Sequence, residues 1–116
     1  MKVVYVAHPL GQGEGREANR RAAAEWCGWI AETFEVAISA DWIVLSGVWN
    51  ESKREMGLAT DLEMVRRADE VWQVGPHVSP GMAVEAECAR SQGKLVLDFT
   101  GLTPAQILTR ARRTHR

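Results

Sequence analysis

A chain of 116 residues with 46% hydrophobic and 25% charged side chains holds enough apolar material for one core and not for two, so a single domain over residues 1–116 is expected. A formal net charge of −1 excludes a strong non-specific pull toward nucleic acid or anionic membrane, and Arg110, Arg112, Arg113 and Arg116 read as a solvated helix end. No run approaches the ~20 apolar residues of a membrane span, the first strand begins without a cleavage-type flank, and the well-separated Cys27 and Cys88 suit buried thiols in a reducing compartment, so a cytoplasmic location is expected.

Val3-Val4-Tyr5-Val6-Ala7 is a β-branched run closed by His8-Pro9 and a Gly11-Gln12-Gly13-Glu14-Gly15 segment, the pattern of a buried strand that enters a loop. A helix is predicted from about Arg16 to Thr33, with Ala18, Ala22, Trp26, Trp29 and Ile30 as its apolar stripe. Phe34 to Ser39 is the second predicted strand. Residues 40 to 53, with Asp41, Trp42, Ser46, Gly47, Trp49 and Asn50, follow neither period and form a candidate binding loop. Leu58, Leu62 and Val65 mark a helix over about Arg54 to Ala68, and Glu70 to Val74 is a third strand. Ser79 as N-cap and Pro80 at the first helical position open the next helix, with Met82, Ala86 and Ala89 inward and Gly93 at its end. Lys94 to Phe99 is the fourth strand, and Thr103-Pro104 caps a last helix through Ile107 and Leu108.

Strands that alternate with helices pair in parallel through right-handed crossovers. The expected fold is therefore a small doubly wound α/β sandwich, Rossmann- or flavodoxin-like, with strand order 2-1-3-4 and helices on both faces. In such a sheet the loops after the strands gather at one edge, where ligands bind. His8 to Gly15, residues 40 to 53, the start of the helix that carries Asp61, and Ser79 to Glu85 should all meet there, within reach of Tyr5.

Two acids stand out at that edge. Asp61 and Glu85 each follow a glycine by four residues, Gly57 and Gly81, and helical side chains lean back over the preceding turn, so each glycine leaves its acid uncovered. Glu85 near the helix start is expected to be held ionised by the macrodipole, as a nucleophile requires. The Ser79 hydroxyl and the N–H groups of that turn can hold a phosphate. Asp61, deeper in its helix, can keep a proton, and carboxylates in unlike surroundings can divide nucleophile and acid roles. On spacing alone the ordinary roles, a solvated Asp and a stabilising first-turn Glu, stand beside these. The Gly11-Gly13-Gly15 run matches neither a dinucleotide fingerprint nor a P-loop and reads as a turn that can touch a phosphate. Trp26, Trp29 and Trp72 read as core or subunit interface, while Trp42 and Trp49 either stack on a base or pack the loop down. His8, His77 and His115 form no His-x-x-x-His pair and neither cysteine has a Cys-x-x-Cys partner, so no metal or cofactor is expected.

Val4-Tyr5-Val6-Ala7-His8-Pro9, Asp61-Leu62-Glu63-Met64-Val65-Arg66-Arg67-Ala68-Asp69 and Ser79-Pro80-Gly81-Met82-Ala83-Val84-Glu85, in this order and spacing, resemble the nucleoside 2-deoxyribosyltransferase superfamily, including its deoxynucleoside monophosphate N-glycosidases. The likeness is greatest to its short members and spans most of residues 3 to 98. It implies a nucleoside or nucleotide substrate, Glu85 as the carboxylate that attacks the anomeric carbon, and a covalent glycosyl-enzyme resolved by water or a second base. It further implies that Asp61 contacts the sugar or assists the departing base and that Tyr5 orients the nucleophile. Ser79 and Gly81 would hold the sugar-phosphate end. The residues themselves add His8, Pro9, Gly11 and Trp42 as candidate substrate contacts. A homodimer or higher homo-oligomer is implied too. The alternative is a non-catalytic nucleotide-binding module with the same cleft.

Overall fold

The computed structural model describes residues 1–10, 15–45 and 54–114. In chain order the elements are β1 (Val3–Ala7), α1 (Arg16–Phe34), β2 (Ala37–Ser39), α2 (Trp42–Leu45), α3 (Arg54–Arg67), β3 (Glu70–Gln73), α4 (Pro80–Ser91), β4 (Leu95–Asp98) and α5 (Pro104–Thr114). The four strands are all parallel and run in the order β2-β1-β3-β4, as the alternation of strands and helices predicts.

Side chains alternate across a pleated strand, and the two sets find different partners. Val4, Val6, Trp72 and Val74 pack with Cys27 and Ile30 of α1 and Ile107 and Ala111 of α5. Tyr5, Ala7 and Val71 pack with Val65 of α3 and Met82 and Ala89 of α4. Helices therefore cover both faces. On the α1 side an edge-to-face aromatic series runs Trp26, Trp29, Phe34, Trp72, Phe99, with centroid separations of 5.0 to 5.7 Å, the geometry that ring quadrupoles favour.

The stripe of α1 is rotated from the expected one. Ala23, Cys27 and Ile30 are its buried residues, whereas Ala18 is exposed and Ala22 half-buried. A run of alanines leaves the phase open, and the bulky Trp26 and Trp29 settle it by flanking the core instead of filling it. The helix also continues through Phe34, whose ring bridges Trp29 and Trp72. Glu35 then takes the left-handed region, φ 53°, and its N–H closes on Ala31 O at 3.1 Å, so β2 is shorter than expected.

The stretch expected to be irregular contains α2. The Val44 N–H donates to Asp41 Oδ1 at 3.2 Å and caps it. The starts of α4 and α5 follow local rules. The Met82 N–H donates to Ser79 Oγ at 3.3 Å ahead of Pro80, and Thr103 and Gln106 exchange a reciprocal capping pair. Cys27 and Cys88 are both free thiols, and no described helix is long and apolar enough to cross a membrane.

Candidate functional site

The carboxyl ends of the parallel strands all face one edge, and a cleft of about 480 Å³ lies there. Its walls take Tyr5 and His8 from the end of β1, Ala40 and Asp41 from the end of β2, Gly57 and Asp61 from α3, and Ser79, Gly81 and Glu85 from the start of α4. Both glycine-acid pairs thus border the same space. An added Cβ at Gly81 would meet nothing within 4 Å, so that turn leaves free space on the cleft that Glu85 also lines.

Glu85 lies in the second turn of α4 and is 7% exposed. The Tyr5 hydroxyl, itself 1% exposed, donates to Glu85 Oε2. Burial raises the Glu85 pKa to about 7; the Tyr5 bond pulls it down and the charge of Asp41 adds to the rise. The expectation that the helix dipole would hold this acid fully ionised is therefore corrected. The dipole falls off beyond the first turn, and desolvation outweighs it. Tyr5 is pushed well above its ordinary value by burial and then by Glu85 and Asp61.

Asp61 carries the larger shift. Its pKa is raised to about 9 by burial first, then by the charges of Asp41 and Glu85 and by a hydrogen bond with Asp41. At neutral pH the cleft thus holds a protonated acid beside a carboxyl poised between its two forms. Such a pairing is characteristic of sites that move protons.

His8 is 8% exposed, and its Nδ1 stands 2.7 Å from Pro9 O. A carbonyl only accepts, so Nδ1 bears the hydrogen, and burial lowers the pKa and keeps the ring neutral. The ring rests on Gly75, where a Cβ would come within 2.8 Å of Cδ2 and Nε2, and where φ is +101°. Glycine meets both demands.

Ser79 lines the cleft, but its hydroxyl is engaged with the Met82 N–H. The Ala83 N–H goes to Ser79 O and Pro80 has no N–H. Among the described residues of that turn, the Gly81 N–H and the hydrogen of the Ser79 hydroxyl are left for a ligand, a weaker anion site than the sequence suggested. Pro9 and Trp42 do not line the cleft; α2 gives it Val44 and Leu45 instead, while Trp42 is 46% exposed. Gly11 and Trp49 lie outside the described residues. Two residues that sequence reasoning did not single out, Asp41, named only as one member of the candidate binding loop, and Arg16, do border the cleft. Asp41 was findable because it follows β2 and the switch-point rule applies to that strand as much as to β1. Among the described residues no group of His, Cys, Asp and Glu is placed to hold a metal ion. Cys27 also borders the cleft, its thiol pushed up to about 11 by burial, and so is not a nucleophile.

Comparison with known proteins bears on this arrangement. A family model described as Domain of unknown function (DUF7768) matches residues 2–99. No curated protein matches. Among solved structures the chain is similar to a 2-deoxyribosyltransferase from the psychrotolerant bacterium Bacillus psychrosaccharolyticus, at 17% identity and a TM-score of 0.56, over 87% of this chain and 75% of that one. At that identity the likeness establishes a shared fold.

Proposed function

Since the chain belongs to the family Domain of unknown function (DUF7768), whose description assigns no activity, we propose its function from its own cleft: cleavage or transfer at the N-glycosidic bond of a 2-deoxynucleoside or its monophosphate. The observation that carries this reading is the Tyr5 hydroxyl bonded to Glu85 beside a proton-bearing Asp61. One carboxylate can attack while another carboxyl gives up a proton. The fold shared with a 2-deoxyribosyltransferase supports the choice of sugar.

In this reading a Glu85 oxygen bonds to the anomeric carbon as the bond from that carbon to the base nitrogen breaks. The bonding pair stays on the base, which takes the proton of Asp61 and leaves. Water or a second base then displaces Glu85 from the anomeric carbon. The proton released by the incoming group returns to Asp61, and the acid is restored. Tyr5 steadies the Glu85 carboxylate through both displacements, while Ser79, Gly81 and His8 contact the sugar end.

The test is a panel of deoxynucleosides and their monophosphates assayed for free base, with and without an acceptor base. Release should rise as Glu85 ionises through about pH 7 and fall as Asp61 loses its proton toward about pH 9. It should vanish in Glu85→Ala with the circular dichroism spectrum unchanged. Activity retained in that variant removes Glu85 from the mechanism. Thermal stabilisation by nucleotides with no base release identifies a binding module instead.

A further inference from the structure

We propose that Asp41 is a positioning residue for the acid step, its carboxyl accepting the hydrogen bond that keeps a proton on Asp61 and fixes the orientation of that acid at the cleft. This rests on the reading of Asp61 as proton donor. Nothing in the family description or in the resemblance assigns Asp41 a role.

Asp41 follows Ala40 directly beyond β2, which pairs with β1 so that Tyr5 and Ser39 are partners. Asp41 therefore reaches the sheet edge where Tyr5 and His8 arrive, and it borders the same cleft as Asp61. Its Oδ1 is fixed by the Val44 N–H at 3.2 Å. The same carboxyl is hydrogen-bonded to Asp61. Two ionised carboxylates have no hydrogen to share, so a bond between them needs one proton. Asp41 already accepts from α2, and it accepts again from Asp61, which holds the proton.

The titratable groups that line the cleft with Asp61 come from several elements: Tyr5 from β1, His8 just beyond it, Asp41 from the end of β2, Glu85 from α4, and Arg16 and Cys27 from α1. Of these, the charges of Asp41 and Glu85 both raise Asp61, with Asp41 the larger of the two. The arrangement also accounts for recovery after each turnover. When Asp61 has given its proton to the departing base, two like charges stand in contact, and that repulsion favours capture of the proton released by the next nucleophile.

A purely structural role for Asp41 as the cap of α2 makes a different forecast. Asn caps a helix about as well as Asp, so Asp41→Asn keeps the cap and removes the charge. The experiment is a carbon-13 titration of the side-chain carboxyls of the full chain, wild type and Asp41→Asn, with Asp41→Ser as a second capping variant. The expected result is an Asp61 midpoint well above the ordinary carboxylate range in the wild type, lower by at least about one pH unit in both variants, a tenfold change in proton affinity. An unmoved midpoint in the variants, or an ordinary midpoint in the wild type, overturns the proposal. The titration needs no turnover. An inactive protein with a shifted Asp61 contradicts the enzymatic reading and leaves the Asp41–Asp61 pair standing; where base is released, the alkaline limb should shift down with the titration.

Discussion

Glu70 and Glu85 are buried alike, at 6% and 7% exposure, but sit toward opposite ends of the sheet. Glu70 opens β3, where Lys2 Nζ lies 2.5 Å from one carboxylate oxygen and the Trp72 Nε1–H donates to the other at 2.8 Å. Around it Asp69 takes the Val3 N–H at 2.7 Å, and Lys94 donates to Ala68 O at 2.6 Å. Glu85 has the Tyr5 hydroxyl, with Asp41 and Asp61 as companions of its own sign. At the amino end of the strands charge is matched with opposite charge or with donors. At the carboxyl end acids are gathered together, and protonation changes to accommodate them. Equal burial therefore conveys little about an acid's role; what stands beside it conveys much.

The sharpest way to break this comparison is to neutralise both acids with the same change. Glu85→Gln should lower base release by at least about 10³-fold, as loss of a nucleophile does. It should leave thermal stability equal to the wild type or higher above pH 7. Glu70→Gln should retain release and lose about 1 kcal/mol of stability, because a charge-assisted contact with Lys2 becomes a neutral one. Glu85 and Asp61 hold protons more tightly in the folded chain, at about 7 and about 9, than at their ordinary values of 4.5 and 3.8. Their contribution to stability is thus complete below those ordinary values and is lost as pH climbs through about 7 and on to about 9. A melting series from pH 4 to 9 should fall in wild type and in Glu70→Gln, and fall less in Glu85→Gln. Identical series for the two variants would erase the distinction between the ends of the sheet.

A smaller effect sharpens the carboxyl end alone. Tyr5→Phe removes the bond that pulls the Glu85 pKa down, so the acidic limb of the pH profile should move upward and the rate at pH 7 fall by about 10-fold. Recovery at pH 8 to 9 is the sign that Tyr5 acts through Glu85. A uniform loss at every pH would assign Tyr5 to substrate contact instead.

Much of this is legible in the amino-acid sequence. The Ser79-Pro80 start of α4 follows a cap rule that acts within three residues, and the strand order follows from alternation and crossover handedness. The convergence of Tyr5, Asp61 and Glu85 follows from that topology. Less legible were features set by distant neighbours. Ala22 and Ala23 of α1 cannot be told apart by hydropathy, and the packing of Trp26 and Trp29 decides between them. The protonation of Glu85 depends on how deeply α4 lies on the sheet, which a local dipole argument does not contain. Asp41 was one member of a candidate loop and had no role of its own there, because the tryptophans of that stretch drew attention, although Trp42 does not line the cleft. Gly75 matters because of a histidine far from it in sequence, so nothing in its own surroundings marks it.

The central claim is that Glu85 forms a bond to the sugar. The most direct measurement is mass analysis of peptides from protein quenched during reaction with a deoxynucleoside that releases base in the panel. A deoxyribosyl adduct on the peptide carrying Glu85, lost when an acceptor base is added and absent from Glu85→Gln, is the result predicted. Base release without any adduct on that peptide, persisting in Glu85→Gln, would contradict the account.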